Sequence, residues 1–111
     1  MQMRKTRVDK NGEDFELPRK VGIIYSDVKK EYFPTEAQYI TERGAEDDAR
    51  IIANYLSTLG INVCLYPGND RLPFLLHKDK PEMVINLVDS VKGNEALSSA
   101  IPGVLELMDI P

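Results

Sequence analysis

The sequence lacks the features that mark membrane, secreted and nucleic-acid-binding proteins. No apolar run approaches the roughly 20 residues that a membrane helix needs, and the charged N-terminus has no apolar signal segment. The 111 residues carry a formal net charge of −4 without a long basic stripe, which argues against binding to a phosphate backbone. We therefore expect a soluble, cytoplasmic protein with neither a membrane nor a nucleic-acid partner.

Residues that build metal and redox sites are also scarce. Cys64 is the only cysteine and His77 the only histidine. One cysteine cannot form an intrachain disulfide, and a histidine without suitably spaced cysteine or carboxylate partners makes a poor metal site. We assign Cys64 to an apolar strand and His77 to the end of a helix, and we expect no metal ligand in this chain.

Glycine-rich nucleotide motifs are absent as well. Gly22 lies inside an apolar run, and neither G-x-G-x-x-G nor G-x-x-x-x-G-K-[ST] follows it. No Ser-His-Asp or Cys-His arrangement with plausible supporting residues is present either. We therefore expect no catalytic residue and no bound cofactor in this chain.

What the sequence does contain is an alternation of apolar strands and amphipathic helices. Residues 1–19 are predicted to form a polar arm or a small hairpin with a turn at Asn11-Gly12, and residues 20–111 a single domain. Residues 27–40 lack a clear period and are predicted to form a long loop. Within the domain we predict strands near 20–25, 61–66 and 82–88, helices near 45–59, 70–78 and 102–108, and a short turn at 95–100.

Two of these helices have predicted N-terminal signals. Asp70 is expected to cap the second helix. Glu46, Asp47 and Asp48 lie in the first turn of the helix near 45–59, where a helix favours negative charge. Because consecutive helical residues point in different directions, we interpret these three as helix-stabilising rather than as metal ligands.

The order of the elements predicts a three-layer, Rossmann-like α/β fold with an open parallel sheet. Right-handed crossovers favour the strand order 2-1-3, with room for a further edge strand. Ligands of such sheets bind beyond the carboxyl ends of the strands, where successive connections leave in opposite directions. The sequence therefore predicts a site between the loops at 26–44 and 89–95.

The C-terminal part of the chain carries the most specific pattern. An apolar strand ends in Asn-Leu-Val-Asp at 86–89, and Gly93 lies in the loop that follows. Ile-Pro-Gly-Val-Leu-Glu-Leu at 101–107 and Ile-Pro at 110–111 complete the pattern. This order resembles the N-terminal, pre-ATP-grasp domain of D-alanine–D-alanine ligases and their ATP-grasp relatives, over about residues 20–111.

The resemblance implies that the chain is the substrate-side domain of a larger ligase. Such enzymes use ATP and Mg²⁺ to turn a carboxylate into an acyl phosphate, which an amine then attacks. The nucleotide and metal ligands would belong to the central and ATP-grasp domains, expected beyond Pro111, so the isolated chain would be inactive. An amino-acid or peptide-like substrate is implied, and cell-wall biogenesis and a homodimer are further expectations of the family.

The resemblance also points to substrate contacts in the first loop. Typical ligases carry there a glycine pair, a serine and a glutamate that meets the amino group of the first D-alanine. This chain has Ser26-Asp27 and a longer loop. A gap-free count places Arg43 at the glutamate position and a one-residue slip places Glu42 there, with Glu36 as another substitute.

In the second loop, Lys92-Gly93 stands where typical ligases carry His-Gly, while the Asn86 and Asp89 pattern matches a wider set of ligase-like proteins. Specificity for D-alanine therefore does not follow. The candidate substrate-binding residues are Ser26, Asp27, Glu36, Glu42, Asp89, Ser90, Lys92 and Gly93.

Two other interpretations of the second loop remain open. In a non-catalytic binding or signalling module of the receiver type, Asp89 would accept a phosphoryl group and Asp27 would supply part of an acidic pocket. In the plainer interpretation, Asp89 and Lys92 solvate a loop and Glu95 caps the next helix. An acid-labile adduct on Asp89 after acetyl-phosphate treatment would favour the receiver.

Overall fold

A computed structural model describes residues 6–8 and 14–111. The strands are β1 (Thr6–Val8), β2 (Asp14–Glu16), β3 (Lys20–Tyr25), β4 (Asn62–Pro67) and β5 (Met83–Asn86). The α-helices are α1 (Glu36–Glu42), α2 (Ala45–Thr58), α3 (Leu72–Asp79) and α4 (Ala100–Leu107), and single 3₁₀ turns occupy Lys30–Tyr32 and Glu95–Ser99.

The first two strands form an antiparallel pair in which Arg7 lies opposite Phe15. The turn predicted at Asn11-Gly12 lies outside the described residues.

The remaining strands form a parallel sheet in the order β4-β3-β5. Gly22 at the centre of β3 is aligned with Cys64 on one side and with Val84 on the other. The predicted order 2-1-3 is therefore confirmed. Within the described residues the sheet has three strands, and the further edge strand is not among them.

Helices cover both faces of this sheet, which confirms the three-layer arrangement. Ile23 packs with Ala49 and Ala53 of α2 on one face. Its neighbour Ile24 points to the other face and packs with residues of α3 and α4, including Leu76 and Leu105. Adjacent strand residues point to opposite faces, so the continuous apolar run of β3 serves two cores at once.

The prediction of a long loop over residues 27–40 is wrong from Glu36 onward, because helix α1 begins there. Thr35 accepts the backbone N–H of Gln38 at 3.2 Å, and this Thr-x-x-Gln spacing is that of a capping box. No residue of α1 is buried, so the helix has no apolar stripe for a periodicity search to detect. The local capping signal was present, but the pattern that usually accompanies it was not.

Three element boundaries differ from their predicted positions. Strand β5 stops at Asn86 because the Asn86 side chain accepts the backbone N–H of Val88 at 3.1 Å and turns the chain. Asp70 is not the cap of α3, since the helix begins after Arg71 and the Asn69 side chain accepts the N–H of Arg71. Helix α4 begins at Ala100, which leaves Pro102 in its first turn, where a missing N–H is harmless.

Candidate functional site

A cleft of about 530 Å³ opens where β3 and β5 end, at the edge predicted from the strand order. Three of its lining residues are carboxylates, and no lining residue among the described ones is basic. The volume lies within the range of small-molecule sites. The lining residues are Ser26, Thr41, Glu42, Gly44, Ala45, Asp48 and Asp89.

The cleft continues along the sheet edge into a second cavity of about 430 Å³. The two share Ala45, Asp48 and Asp89, and the second reaches past Ile52 to the residues that follow β5. The site is therefore elongated, with carboxylates near its middle.

Ser26 forms the floor of the cleft directly after β3, and only 3% of its surface is exposed. Its Oγ accepts the backbone N–H of Asp89 at 2.9 Å and that of Ser90 at 3.5 Å. The end of the central strand thus holds the beginning of the second loop, where Asp89 lines the cleft.

Glu42 forms the opposite wall at the last position of α1. Its Oε2 accepts a hydrogen bond from the Ser90 hydroxyl at 3.2 Å, although the two residues lie 48 positions apart. Arg43, the residue that a gap-free count places at the family's glutamate position, is exposed and does not line the cleft. Ser90 is 3% exposed and lies behind Glu42 rather than in the lining.

The second loop turns sharply at Lys92-Gly93. Val91 and Asn94 exchange backbone hydrogen bonds of 3.1 and 3.0 Å across the turn. Lys92 and Gly93 have φ values of 52° and 76°, so both central positions are left-handed. A Cβ on Gly93 would collide with the carbonyl oxygen of Tyr32. Glycine is therefore needed for the two loops to touch.

Three of the predicted site residues lie elsewhere. Lys92 lines a separate, largely apolar groove of about 270 Å³ between α3 and α4. Asp27 accepts a hydrogen bond from Asn69 Nδ2 at 3.1 Å, with Lys29 Nζ at 4.0 Å, and does not line the cleft. Glu36 is exposed in the first turn of α1, also outside the cleft lining.

The structure thus divides the eight candidates. Ser26, Glu42 and Asp89 line the cleft, Ser90 supports it from behind, and Gly93 shapes its loop.

Asp48 is the main site residue that the sequence interpretation missed. It was assigned to stabilisation of the α2 N-terminus, and that role is compatible with its position in the first turn. The structure also places it in both cavities, together with Ala45 and Ile52. Spacings of three and four residues put these side chains on one helix face, so the helix period could have revealed the placement.

Glu46, by contrast, is engaged by its neighbours. It accepts a hydrogen bond from the Tyr25 hydroxyl at 3.0 Å, and its Oε1 lies 3.8 Å from Arg50. Burial, reinforced by the hydrogen bond to the Glu46 carboxylate, raises the pKa of Tyr25 to about 12. The hydrogen bond between Tyr25 and Glu46 joins the end of β3 to the first turn of α2.

In the part of the chain that the structure describes, no three His, Cys, Asp or Glu side chains converge as a metal site would require. No helix among the described residues combines the length and apolarity needed to cross a membrane.

Comparisons with protein-family models, curated proteins and solved structures find no match to this chain.

Proposed function

We propose that this chain is the substrate-side domain of an ATP-grasp-type carboxylate–amine ligase, and that its cleft holds an amino-acid or peptide-like substrate by its ammonium group. The observation that carries the proposal is the placement of Glu42. Of the two residues that compete for the family's glutamate position, the anion lines the cleft and the cation Arg43 does not.

The charge of the cleft supports a cationic substrate group. Glu42, Asp48 and Asp89 contribute negative charge, and the Ser26 hydroxyl is the polar group at the floor. Hydrogen bonds between an ammonium group and a carboxylate are about twice as strong as those between neutral groups. A substrate carboxylate would be repelled from the same walls, so it would point out of the cleft toward the reacting partner.

ATP and Mg²⁺ would activate the carboxylate, and in this proposal both are bound by other domains of a larger enzyme. This chain then binds and orients the substrate. By itself it should not hydrolyse ATP.

The geometry supports the receiver interpretation less well. A phosphoacceptor pocket would need Asp89 and Asp27 to share one site, but Asp89 lines the cleft while Asp27 is bonded to Asn69. Treatment with acetyl phosphate followed by mass measurement should leave the chain unmodified. An acid-labile adduct on Asp89 would contradict the proposal.

Binding of small amines tests the proposed function directly. We would titrate the ¹⁵N-labelled chain with glycine, D-alanine, L-alanine, D-alanyl-D-alanine and methylamine, and with acetate as a probe that lacks the ammonium group. Amino-group compounds should shift the amide signals of Glu42, Ala45 and Asp89, and acetate should not. If no compound with an amino group shifts these signals, the proposed function is wrong.

Charge-neutral variants then assign the contact. Glu42→Gln should weaken binding of the best amine by about tenfold or more, since a hydrogen bond to a charged group is lost. Glu106→Gln is the matched control, because Glu106 is exposed on α4 and does not line the cleft. Loss of binding in Glu36→Gln together with full binding in Glu42→Gln would contradict the assignment of the ammonium contact.

A further inference from the structure

Ser26 and Ser90 were predicted from the sequence to contact substrate, but their hydrogen bonds point to a different role. We propose that they are positioning residues: Ser26 holds the backbone at 89–90, and Ser90 in turn fixes the Glu42 carboxylate against the cleft. This inference rests on the proposed function, because it assigns the groups that prepare the ammonium-binding residue.

The first link joins β3 to the second loop. Two consecutive backbone N–H groups, those of Asp89 and Ser90, point at the single Oγ of Ser26. Both serines are 3% exposed; the bond from the Ser90 amide is buried, and the bond from the Asp89 amide is partly buried. Leaving a buried N–H group without an acceptor lowers the free energy of unfolding. The bonds therefore fix where the loop begins, and with it the direction of the Ser90 side chain.

The second link joins the loop to α1. The Ser90 hydroxyl donates a hydrogen bond to Glu42 Oε2. A serine hydroxyl has a single O–H donor, so Ser90 cannot donate to a substrate at the same time. It also lies outside the cleft lining, whereas Glu42 lies in it. A hydroxyl behind a carboxylate orients that carboxylate and leaves its other oxygen for a ligand.

Helix α1 needs such a link because packing holds it weakly. None of its residues is buried, and it has only seven residues. Short helices without an apolar face are marginal on their own. The bond from Ser90 acts at the last residue of this helix, where Glu42 is, and would hold the residue that matters for binding.

The experiment combines ligand-free and ligand-binding measurements on the full chain. In Ser26→Ala the Asp89 amide should exchange with solvent about tenfold faster, since its acceptor is gone. In Ser90→Ala the ¹³C signal of the Glu42 carboxyl group should move, while Ser90→Thr, which keeps the hydroxyl, should stay near wild type. Ser99→Ala is the matched control, because the exposed Ser99 hydroxyl bonds only locally to the Ala96 carbonyl.

Binding of the best amine from the panel gives the functional measurement. Ser90→Ala should weaken it about three- to tenfold, as for the loss of one hydrogen bond, and Ser90→Thr should restore it. Unchanged Asp89 exchange in Ser26→Ala together with an unchanged Glu42 signal in Ser90→Ala would overturn the linkage, whether or not amines bind.

The remaining outcomes separate this inference from the proposed function. If the ligand-free signals move as expected but wild type binds no amine, the proposed function is wrong, and the two serines position Glu42 without serving amine binding. If wild type binds an amine and Ser90→Ala binds it equally well, Glu42 does not need to be positioned, and this inference alone is wrong.

Discussion

Within the described part of the chain, Asp79 at one end of the parallel sheet is hydrogen-bonded through its side chain, whereas Asp48 and Asp89 at the other end are not. Near the amino ends of β3 and β5, the Tyr66 hydroxyl donates to Asp79 Oδ2 at 3.0 Å, and Lys20 Nζ donates to the Asp79 carbonyl at 2.8 Å. At the carboxyl ends, the side chains of Asp48 and Asp89 line an open cleft and make no hydrogen bond to any described residue.

Asp79 is thus satisfied within the chain, whereas in the proposed function the carboxylates at the carboxyl end are the groups that bind substrate. Tyr66 is 2% exposed, and its ring lies directly over Gly22, so the amino end is filled and internally satisfied. The Asp79 oxygens at this end already accept hydrogen bonds from Tyr66 and Lys20, so we expect no ligand to bind there. At the carboxyl end, the side chains of Asp48 and Asp89 have no donor among the described residues, and a ligand with N–H groups could supply one.

Gly22→Ala should give the largest effect and should act on stability alone. A Cβ at this position would lie 2.7 Å from Tyr66 Cε2, in the centre of the sheet where neither side can move freely. Overpacking of this kind costs about 1–3 kcal/mol of unfolding free energy, and we expect the upper part of that range. Urea unfolding measures it.

Gly103→Ala is the control for that substitution. Beyond the adjacent residues and the backbone of its own helix, no described atom lies within 4 Å of the added Cβ, and the position is helical, so stability should rise by about 0.5–1 kcal/mol. A Gly22→Ala protein as stable as wild type would show that the amino end is less tightly filled than the structure indicates.

Gly93→Ala should come next and should affect both stability and binding. The residue has a φ of 76°, and a Cβ would collide with the Tyr32 carbonyl, so the turn and the loop contact cannot both survive. We expect a loss of about 1–3 kcal/mol, nearer 2, in urea unfolding, accompanied by weaker amine binding in the NMR titration. Full amine binding in this variant would contradict the link between the turn and the cleft.

Tyr66→Phe should cost about 1 kcal/mol, because it removes one hydroxyl hydrogen bond and leaves the ring in place. Its amine binding should equal that of wild type, since Tyr66 does not line the cleft and its hydroxyl lies at the amino end of the sheet. The same titration and urea series measure both quantities. Impaired binding in this variant would mean that the two ends are coupled.

The last effect appears only at alkaline pH. Burial raises the pKa of Tyr25 from 10.0 to about 12, and burial, with Cys64 and Asp79 adding to it, raises the pKa of Tyr66. A raised pKa favours the protonated form in the folded protein, so this stability is fully present below pH 10 and is lost as pH rises toward 12. Unfolding free energy measured between pH 9 and 12 should fall less steeply in Tyr25→Phe than in wild type. Equal slopes would contradict the pKa shift of Tyr25.

The sequence was sufficient to predict the features that follow from local apolar patterns and from the connection rules of parallel sheets. The apolar run of β3, the amphipathic period of α2 and the alternation of elements led to the correct strand order and to the correct edge for a cleft. Helix α1 was not predicted because it buries no residue, so its sequence has no apolar period and the cap at Thr35 was the signal that remained. Asp48 was not predicted as a site residue because its place in the first turn of α2 already explained its negative charge, although it also lines the cleft.

By itself, then, the sequence determined the α/β architecture, since periodicity and apolar runs are local properties that any sheet of this order must satisfy. It also left Arg43, Glu42 and Glu36 as competitors for one role. The fold was needed to show that Glu42 and Asp89 line one cleft and that Asp27 and Lys92 do not line it. Side-chain direction at a loop or helix end depends on contacts between segments far apart in the chain, such as Ser90 with Glu42, and no local pattern encodes such a contact.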